Sequence, residues 1–148
     1  MKKRVKPESI VPFLEHIGAV TVRFDRLGSV VELETRDDLV NHIGGLHAAV
    51  VFSVAECAAG ALLTHNFDVG IYIPLLKSMD IKYRASIFKK AVAFASVSED
   101  VLKKAEVELK ESGRTDLMIR IRVENEEGMD AATVNILWAL RSMEPSRL

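Results

Sequence analysis

The stretch that decides the fold is residues 46–63, which read LHAAVVFSVAECAAGALL. As a helix it would be apolar around almost its whole circumference, and such a helix is buried. Glu56 is the only charged residue in it. An unpaired buried carboxylate costs several kcal/mol or binds a proton, so its presence needs a reason. Glu56 is therefore the main clue to function.

The same stretch approaches the length of a transmembrane helix. A membrane span is still a poor interpretation, because Glu56 lies near its middle and its many Ala and Gly residues dilute its hydropathy. The rest of the chain alternates as amphipathic strands do. The pattern therefore predicts a core helix packed against a sheet.

Length and composition predict one domain over residues 1–148. The 20 basic and 21 acidic residues are mixed along the chain, which gives no reason to expect binding to nucleic acid or to an anionic membrane. The one cysteine, Cys57, cannot form an intramolecular disulfide. The first residues lack a long apolar signal region, so we expect a protein of the cytoplasm.

Alternating segments surround the central helix. A short amphipathic helix from Pro7 to Ile17, ended by Gly18, precedes the strands, and a surface helix over 101–111 is inserted among them. A long apolar helix needs a wrapping surface, which a curved antiparallel sheet supplies, so the predicted class is α+β. The six predicted strands are 20–25, 30–35, 71–83, 91–98, 117–123 and 131–140.

The residues before Glu56 carry a family resemblance. Asn41, Gly44 and His47 are spaced at intervals of three, and Glu56 follows His47 by nine positions. This pattern resembles the hotdog-fold acyl-CoA thioesterases of the phenylacetic-acid-degradation type, which implies a curved sheet wrapped around one long helix. The two residues after His47 are alanines where that family usually has glycines. That departure and the inserted helix look more like the DUF4442-like branch of the superfamily.

The resemblance implies roles for four residues. Glu56 would be the general base or the nucleophile, because a carboxylate in an apolar wall has a raised proton affinity. Asn41 and His47 would assist it, and the amide of Ala48 would stabilise the oxyanion at the start of the helix. Three of them have a structural alternative: Asn41 as a loop residue, His47 as a first-turn residue and Glu56 as an acid paired with a cation.

Helix geometry separates two of these residues. Nine positions at about 100° each place His47 and Glu56 roughly 180° apart and about 13 Å along the axis. One helix cannot direct both at the same thioester. The site is therefore expected to form between two chains, with two composite sites in a homodimer.

Further residues are candidates for substrate binding. Gly45 allows a tight loop into the helix. The family often has an assisting Ser or Thr on the strand after the helix; the aligned position is Leu76, with Lys77 and Ser78 beside it. Phosphate groups of coenzyme A could be held by cations, which are otherwise ordinary surface residues. These cations are Arg84, Lys89, Lys90 and Arg114.

The leading hypothesis is an acyl-CoA thioesterase that needs neither a cofactor nor a metal ion and acts as a homodimer or a dimer of dimers. A second hypothesis is a hotdog dehydratase or hydratase, because His42 precedes Glu56 by fourteen positions, a spacing similar to that in the acyl-carrier-protein dehydratases. A third is a non-catalytic protein that binds acyl thioesters.

Overall fold

One antiparallel sheet and one long helix organise the chain. The computed structural model describes residues 4–144, and the ends of the predicted domain, residues 1–3 and 145–148, lie outside that range. Single 3₁₀ turns occur at Pro7–Ser9 and Asp37–Leu39. The helices and strands, in chain order, are α1 (Pro12–Ile17), β1 (Val20–Phe24), β2 (Gly28–Glu34), α2 (Ala48–Asn66), β3 (Tyr72–Tyr83), β4 (Lys90–Ser96), α3 (Glu99–Ser112), β5 (Arg114–Glu124) and β6 (Asp130–Ser142).

The six strands follow the order β1-β2-β4-β5-β6-β3, and every neighbouring pair is antiparallel. Strands β1 and β3 are therefore the two edges. The curved sheet wraps α2, which confirms the predicted α+β class and element order.

Helix α2 is the core of the structure. By length and hydropathy it could span a membrane, but most of it is buried inside the fold, as in a core helix. It packs mainly against β2 and β4. The inward residues of β4 are Ala91, Ala93 and Ala95, and small side chains on both surfaces allow the helix to approach the sheet closely. Ser29 on β2 adds a polar contact, donating a hydrogen bond of 2.6 Å to the carbonyl of Ala58.

The N-terminal segment differs from the single helix that the sequence predicts. It forms the turn at Pro7–Ser9 and then the separate helix α1, with Val11 extended between them (φ −113°, ψ 102°). Pro12 explains the break, because proline disfavours the helical conformation in the preceding residue and lacks the amide that would continue the helix. Gly18 ends α1 in the left-handed region (φ 83°), as predicted.

Edge strand β1 turns its apolar residues outward. Val20 and Val22 are about half exposed, whereas Thr21 between them is fully buried. The carboxylate of Glu8 accepts hydrogen bonds from both the amide and the hydroxyl of Thr21, each at 2.7 Å. Because its polar groups are satisfied, Thr21 can face the core. These bonds also fasten the N-terminal segment to the sheet.

The contact between Ser29 and the helix can be tested by substitution. Removing one buried neutral hydrogen bond lowers the free energy of unfolding by about 1 kcal/mol, so we expect that loss in Ser29→Ala. Urea unfolding measures it. Ser96→Ala, which removes an exposed hydroxyl from the outer face, is the matched control and should change stability by less than about 0.5 kcal/mol. Equal effects in the two variants would contradict the role of the Ser29 contact.

Candidate functional site

Three of the four predicted catalytic residues, Asn41, Ala48 and Glu56, line two separate pockets. The first, the helix-start pocket, has a volume of about 340 Å³ and lies at the N-terminus of α2. The second, the Glu56 pocket, has a volume of about 480 Å³. The two pockets share no lining residue. Within one chain, the structure therefore groups Asn41 with Ala48 and leaves Glu56 apart.

Asn41 shapes the loop that enters the helix. Its side-chain oxygen accepts hydrogen bonds from the amides of Ile43 (3.0 Å) and Gly45 (3.2 Å). Its own amide donates to the carbonyl of Gly45 at 2.7 Å, and Gly44 between them has φ +82°. Gly45 is thus part of the loop framework. Within residues 4–144 the side-chain NH₂ of Asn41 makes no hydrogen bond, so it is available to a ligand.

The first amide of α2, that of Ala48, is also without a hydrogen bond within residues 4–144 and so can bind a ligand. His47 precedes the helix, and its Nδ1 accepts a hydrogen bond from the amide of Ala49 at 3.0 Å. The two following amides donate to the carbonyl of His47. The amide of Ala48 has no such acceptor among residues 4–144. A free donor therefore stands at the positive end of the helix dipole.

Tyr83 joins this pocket from the end of β3. Its hydroxyl donates a hydrogen bond of 2.8 Å to the carbonyl of Ala48. The contact ties the first turn of α2 to the edge strand, and burial raises the pKa of the tyrosine. Tyr83 was not among the sequence candidates, because its partner is a backbone carbonyl that no sequence pattern marks.

The Glu56 pocket is almost entirely apolar. Three residues of α2 enter it at intervals of four, Glu56, Gly60 and Thr64, and so form one stripe along the helix. The N-terminal segment, the start of β3 and Trp138 supply the other walls. The remaining lining residues are Pro7, Ile10, Val11, Leu14, Val69, Ile73, Pro74, Leu75, Leu76 and Trp138.

The carboxylate of Glu56 is an isolated charge in this environment. It has no hydrogen bond and no ion pair with any of residues 4–144, so the alternative of a structural acid paired with a cation finds no support there. Burial among apolar groups raises the pKa of this carboxyl group. A partly buried carboxylate with a raised pKa in a ligand-sized pocket is suited to accept a proton.

The predicted phosphate-binding cations are dispersed. Arg84 lines the helix-start pocket and donates to the hydroxyl of Thr133 (3.2 and 3.3 Å). Lys89 is exposed nearby, and Lys90 forms an ion pair with Glu32 at 2.6 Å. Arg114 starts β5, at the opposite end of the sheet, where it lines a different, polar pocket. Of these four cations, Arg84 alone lines a pocket together with predicted catalytic residues of the same chain.

The other predicted contacts on β3 face away from Glu56. Lys77 lies at a bulge and forms an ion pair with Asp116, and Ser78 is paired with Leu137 on the outer face of the sheet. Leu76, the residue aligned with the family's Ser or Thr, does line the Glu56 pocket. His42 is exposed in the turn before the helix and lines neither pocket, so dehydratase chemistry would also need residues from two chains.

Comparisons with known proteins identify a family to which the chain belongs and several solved structures with a similar fold. The model of a domain of unknown function, DUF4442, matches residues 7–140. Among curated proteins, none matches the sequence. Protein PA5026 of Pseudomonas aeruginosa, described as a probable thioesterase, is 24% identical with a TM-score of 0.81, and the match covers 94% of this chain and 93% of that chain.

Two more distant structures carry the name thioesterase, each solved as a mutant. SAV0944 of Staphylococcus aureus is 16% identical with a TM-score of 0.75, and the match covers 88% of this chain and 99% of that chain. PA1618 of Pseudomonas aeruginosa is 12% identical with a TM-score of 0.72, with coverages of 88% and 86%. At these identities the likeness establishes the fold alone.

The isolated charge of Glu56 predicts a pH-dependent stability. In the unfolded chain this carboxyl group has its ordinary pKa of 4.5, and in the folded chain the pKa is higher. The folded state therefore binds the proton more tightly, and the free energy of unfolding falls as pH rises from the unfolded pKa through the folded one. We expect Glu56→Gln to be more stable than the wild type at neutral pH, and the difference to vanish below pH 4.5.

Thermal unfolding across this pH range measures the effect. Glu127→Gln, at an exposed turn position, is the control and should follow the wild type at every pH. A Glu56→Gln curve that stays parallel to the wild-type curve would show that the folded chain does not perturb this carboxyl group.

Proposed function

The chain belongs to the DUF4442 family and has the hotdog fold, and we propose that it is an acyl-CoA thioesterase whose active site forms between two copies of the chain. One observation carries the proposal: an isolated carboxylate, Glu56, lies in an apolar pocket large enough for an acyl group. The names of the similar structures support the same reaction class. The proposed reaction uses no separate cofactor. Coenzyme A enters it as part of the substrate.

Hydrolysis of a thioester needs a base and an oxyanion donor. In the proposed reaction the Glu56 carboxylate removes a proton from water as the water oxygen bonds to the thioester carbon. The carbonyl oxygen becomes an oxyanion, which the amide of Ala48 and the side-chain NH₂ of Asn41 stabilise. The carbon–sulfur bond then breaks, and the proton held by Glu56 passes to the departing thiolate. The products are a carboxylic acid and free coenzyme A.

The donors and the base lie at different pockets, so two chains must combine. Strand β3 is the natural contact, because it is a sheet edge of twelve residues that carries several exposed apolar side chains. Such an edge is prone to pair with another strand. The exposed apolar residues of this edge are Ile73, Leu75, Leu76 and Tyr83.

The positions of the two pockets along β3 suggest the register of that pairing. The Glu56 pocket contacts residues 73–76 near the start of the strand, and the helix-start pocket contacts Tyr83 at its end. An antiparallel pair of β3 strands with a two-fold axis near Met79 would place Leu75 of one subunit beside Tyr83 of the other. Each Glu56 would then approach the Ala48 amide of the partner subunit, giving two equivalent sites.

Ala48→Pro tests the oxyanion donor directly. Proline replaces the amide hydrogen with a ring carbon and is well accepted at the first helical position. The preceding His47 already has the extended conformation that proline requires (φ −61°, ψ 141°). We expect kcat for acyl-CoA hydrolysis to fall about 10²–10³-fold in Ala48→Pro. Ala48→Gly keeps the amide and should retain activity. Release of free thiol from a panel of acyl-CoAs measures both.

Glu56→Gln removes the base and should lower kcat about 10²–10⁴-fold. Mixing refolded Ala48→Pro and Glu56→Gln chains then tests whether the site is shared. A mixed dimer has one site with an intact Glu56 and an intact Ala48, so equal mixing should restore about a quarter of the wild-type activity. A mixture no more active than its components, despite exchange of subunits, would place the whole site within one chain.

Leu75→Glu tests the contact strand. A charge buried within an apolar interface should prevent pairing, so we expect a monomer that is folded and inactive. Light scattering with size-exclusion chromatography measures the mass. Val107→Glu, at an equally exposed apolar position on α3, is the control and should remain dimeric and active. A dimeric and active Leu75→Glu protein would exclude β3 as the contact.

A further inference from the structure

We propose that Gly60 and the N-terminal segment, residues 7–14, set the length of the uncharged acyl group that the Glu56 pocket accepts. The inference rests on the proposed function, since it concerns the same site. It assigns a specificity role to residues outside the predicted catalytic set.

The stripe of Glu56, Gly60 and Thr64 on α2 defines the path of an acyl group. Gly60 lies one turn beyond Glu56 and Thr64 lies two turns beyond it, at about 6 and 12 Å along the axis. A chain whose thioester carbon lies near Glu56 therefore crosses Gly60 before it reaches Thr64. The hydroxyl of Thr64 already donates to the carbonyl of Ala61 at 3.2 Å, so it presents no unsatisfied group to the acyl chain. Apart from Glu56 the lining residues carry no charge, which excludes charged acyl groups.

The N-terminal segment closes the far side of this path. Pro7, Ile10, Val11 and Leu14 all line the pocket. The two hydrogen bonds from Thr21 to Glu8 hold the segment against β1, and the burial of Leu14 anchors α1 in the core. The wall is therefore fixed by contacts within the folded chain that do not depend on a ligand. A fixed wall limits the length of a ligand, because lengthening the ligand would require these contacts to break.

Gly60 sets the space between that wall and the helix. A Cβ atom at this position would lie 3.5 Å from Cγ of Pro7 and 3.8 Å from its Cβ, which is ordinary van der Waals contact. A methyl group therefore fits, whereas a longer side chain must enter the pocket or displace Pro7. The absence of a side chain leaves the space beside Pro7 free for the acyl chain.

The pocket contains its own fluorescent reporter. Trp138, the one tryptophan of the chain, lines the Glu56 pocket. Bromine quenches indole fluorescence on contact, so a homologous series of terminally brominated straight-chain alcohols reports occupancy of the pocket without any hydrolysis. These probes are uncharged and avoid repulsion by Glu56. Titration of each probe into the dimeric wild-type protein gives a profile of affinity against chain length.

Gly60→Leu should move this profile toward shorter probes. Loss of burial for two methylene groups weakens binding about tenfold, and we expect at least that loss for the longer alcohols while the shortest ones are unaffected. Gly60→Ala should give a smaller shift in the same direction, and its improved helix propensity favours folding. Ile10→Ala, which removes part of the wall, should shift the profile toward longer probes.

Phe13→Ala is the matched control. Phe13 belongs to the same segment, but it is exposed and does not line the pocket, so the profile should not change. Unchanged profiles in folded Gly60→Leu and Ile10→Ala would overturn the inference, as would an equal shift in Phe13→Ala.

The same variants assayed with butyryl-, octanoyl- and palmitoyl-CoA separate this inference from the proposed function. Opposite shifts of kcat/KM in Gly60→Leu and Ile10→Ala support both. Opposite shifts in the quenching profile, with no thiol released from any acyl-CoA, would leave the length-setting role standing and remove the thioesterase. Hydrolysis with unaltered length preference in both variants would overturn the inference and leave the thioesterase standing.

Discussion

The close contact of α2 with the sheet is the constraint on which the rest of the structure depends. Small side chains on both surfaces make it possible, with Ala58 on the helix and Ala91, Ala93 and Ala95 on β4. A helix so enclosed has little surface left for polar groups. Its first turn and one lateral stripe line the two pockets described above, and its last residue, Asn66, lines another.

The Glu56 carboxylate works against the stability of this arrangement. A neutral side chain of the same size would satisfy the apolar pocket better, since the carboxylate has no partner among residues 4–144. The same lack of partners keeps its pKa raised and its oxygens free to accept a proton. If Glu56 is the proposed base, stability and reactivity are therefore opposed at this residue.

Much of the fold could be predicted from sequence because its signals are local. The caps are examples: Ser98 begins α3 and Gly113 ends it in the left-handed conformation, as their residue types suggest. The inward turn of Thr21 could not be predicted, because it depends on Glu8, thirteen residues away. The break before α1 could have been, since Pro12 marks it in the sequence.

In the candidate site, too, local patterns could be predicted from sequence and contacts between distant segments could not. Helix periodicity separates His47 from Glu56, and in the structure Glu56 lines a pocket that His47 does not. The spacing of four also marks Gly60 and Thr64. The wall formed by Pro7 and Ile10 and the contact of Tyr83 with Ala48 are tertiary, and no pattern within either segment indicates them. The predicted phosphate-binding cations are a further case, because residue type marks them without giving their positions in space, and the sheet places Arg114 at the opposite end from Arg84.

The bare edge of β3 has a consequence for the behaviour of the protein in solution. If catalysis needs two copies joined along this edge, the rate at high dilution varies with the square of the chain concentration. Specific activity would then rise with expression level until the association is saturated. Pairing along an apolar edge strand would thus make the specific activity depend on concentration. A cell containing few copies of the chain would then hydrolyse disproportionately little thioester.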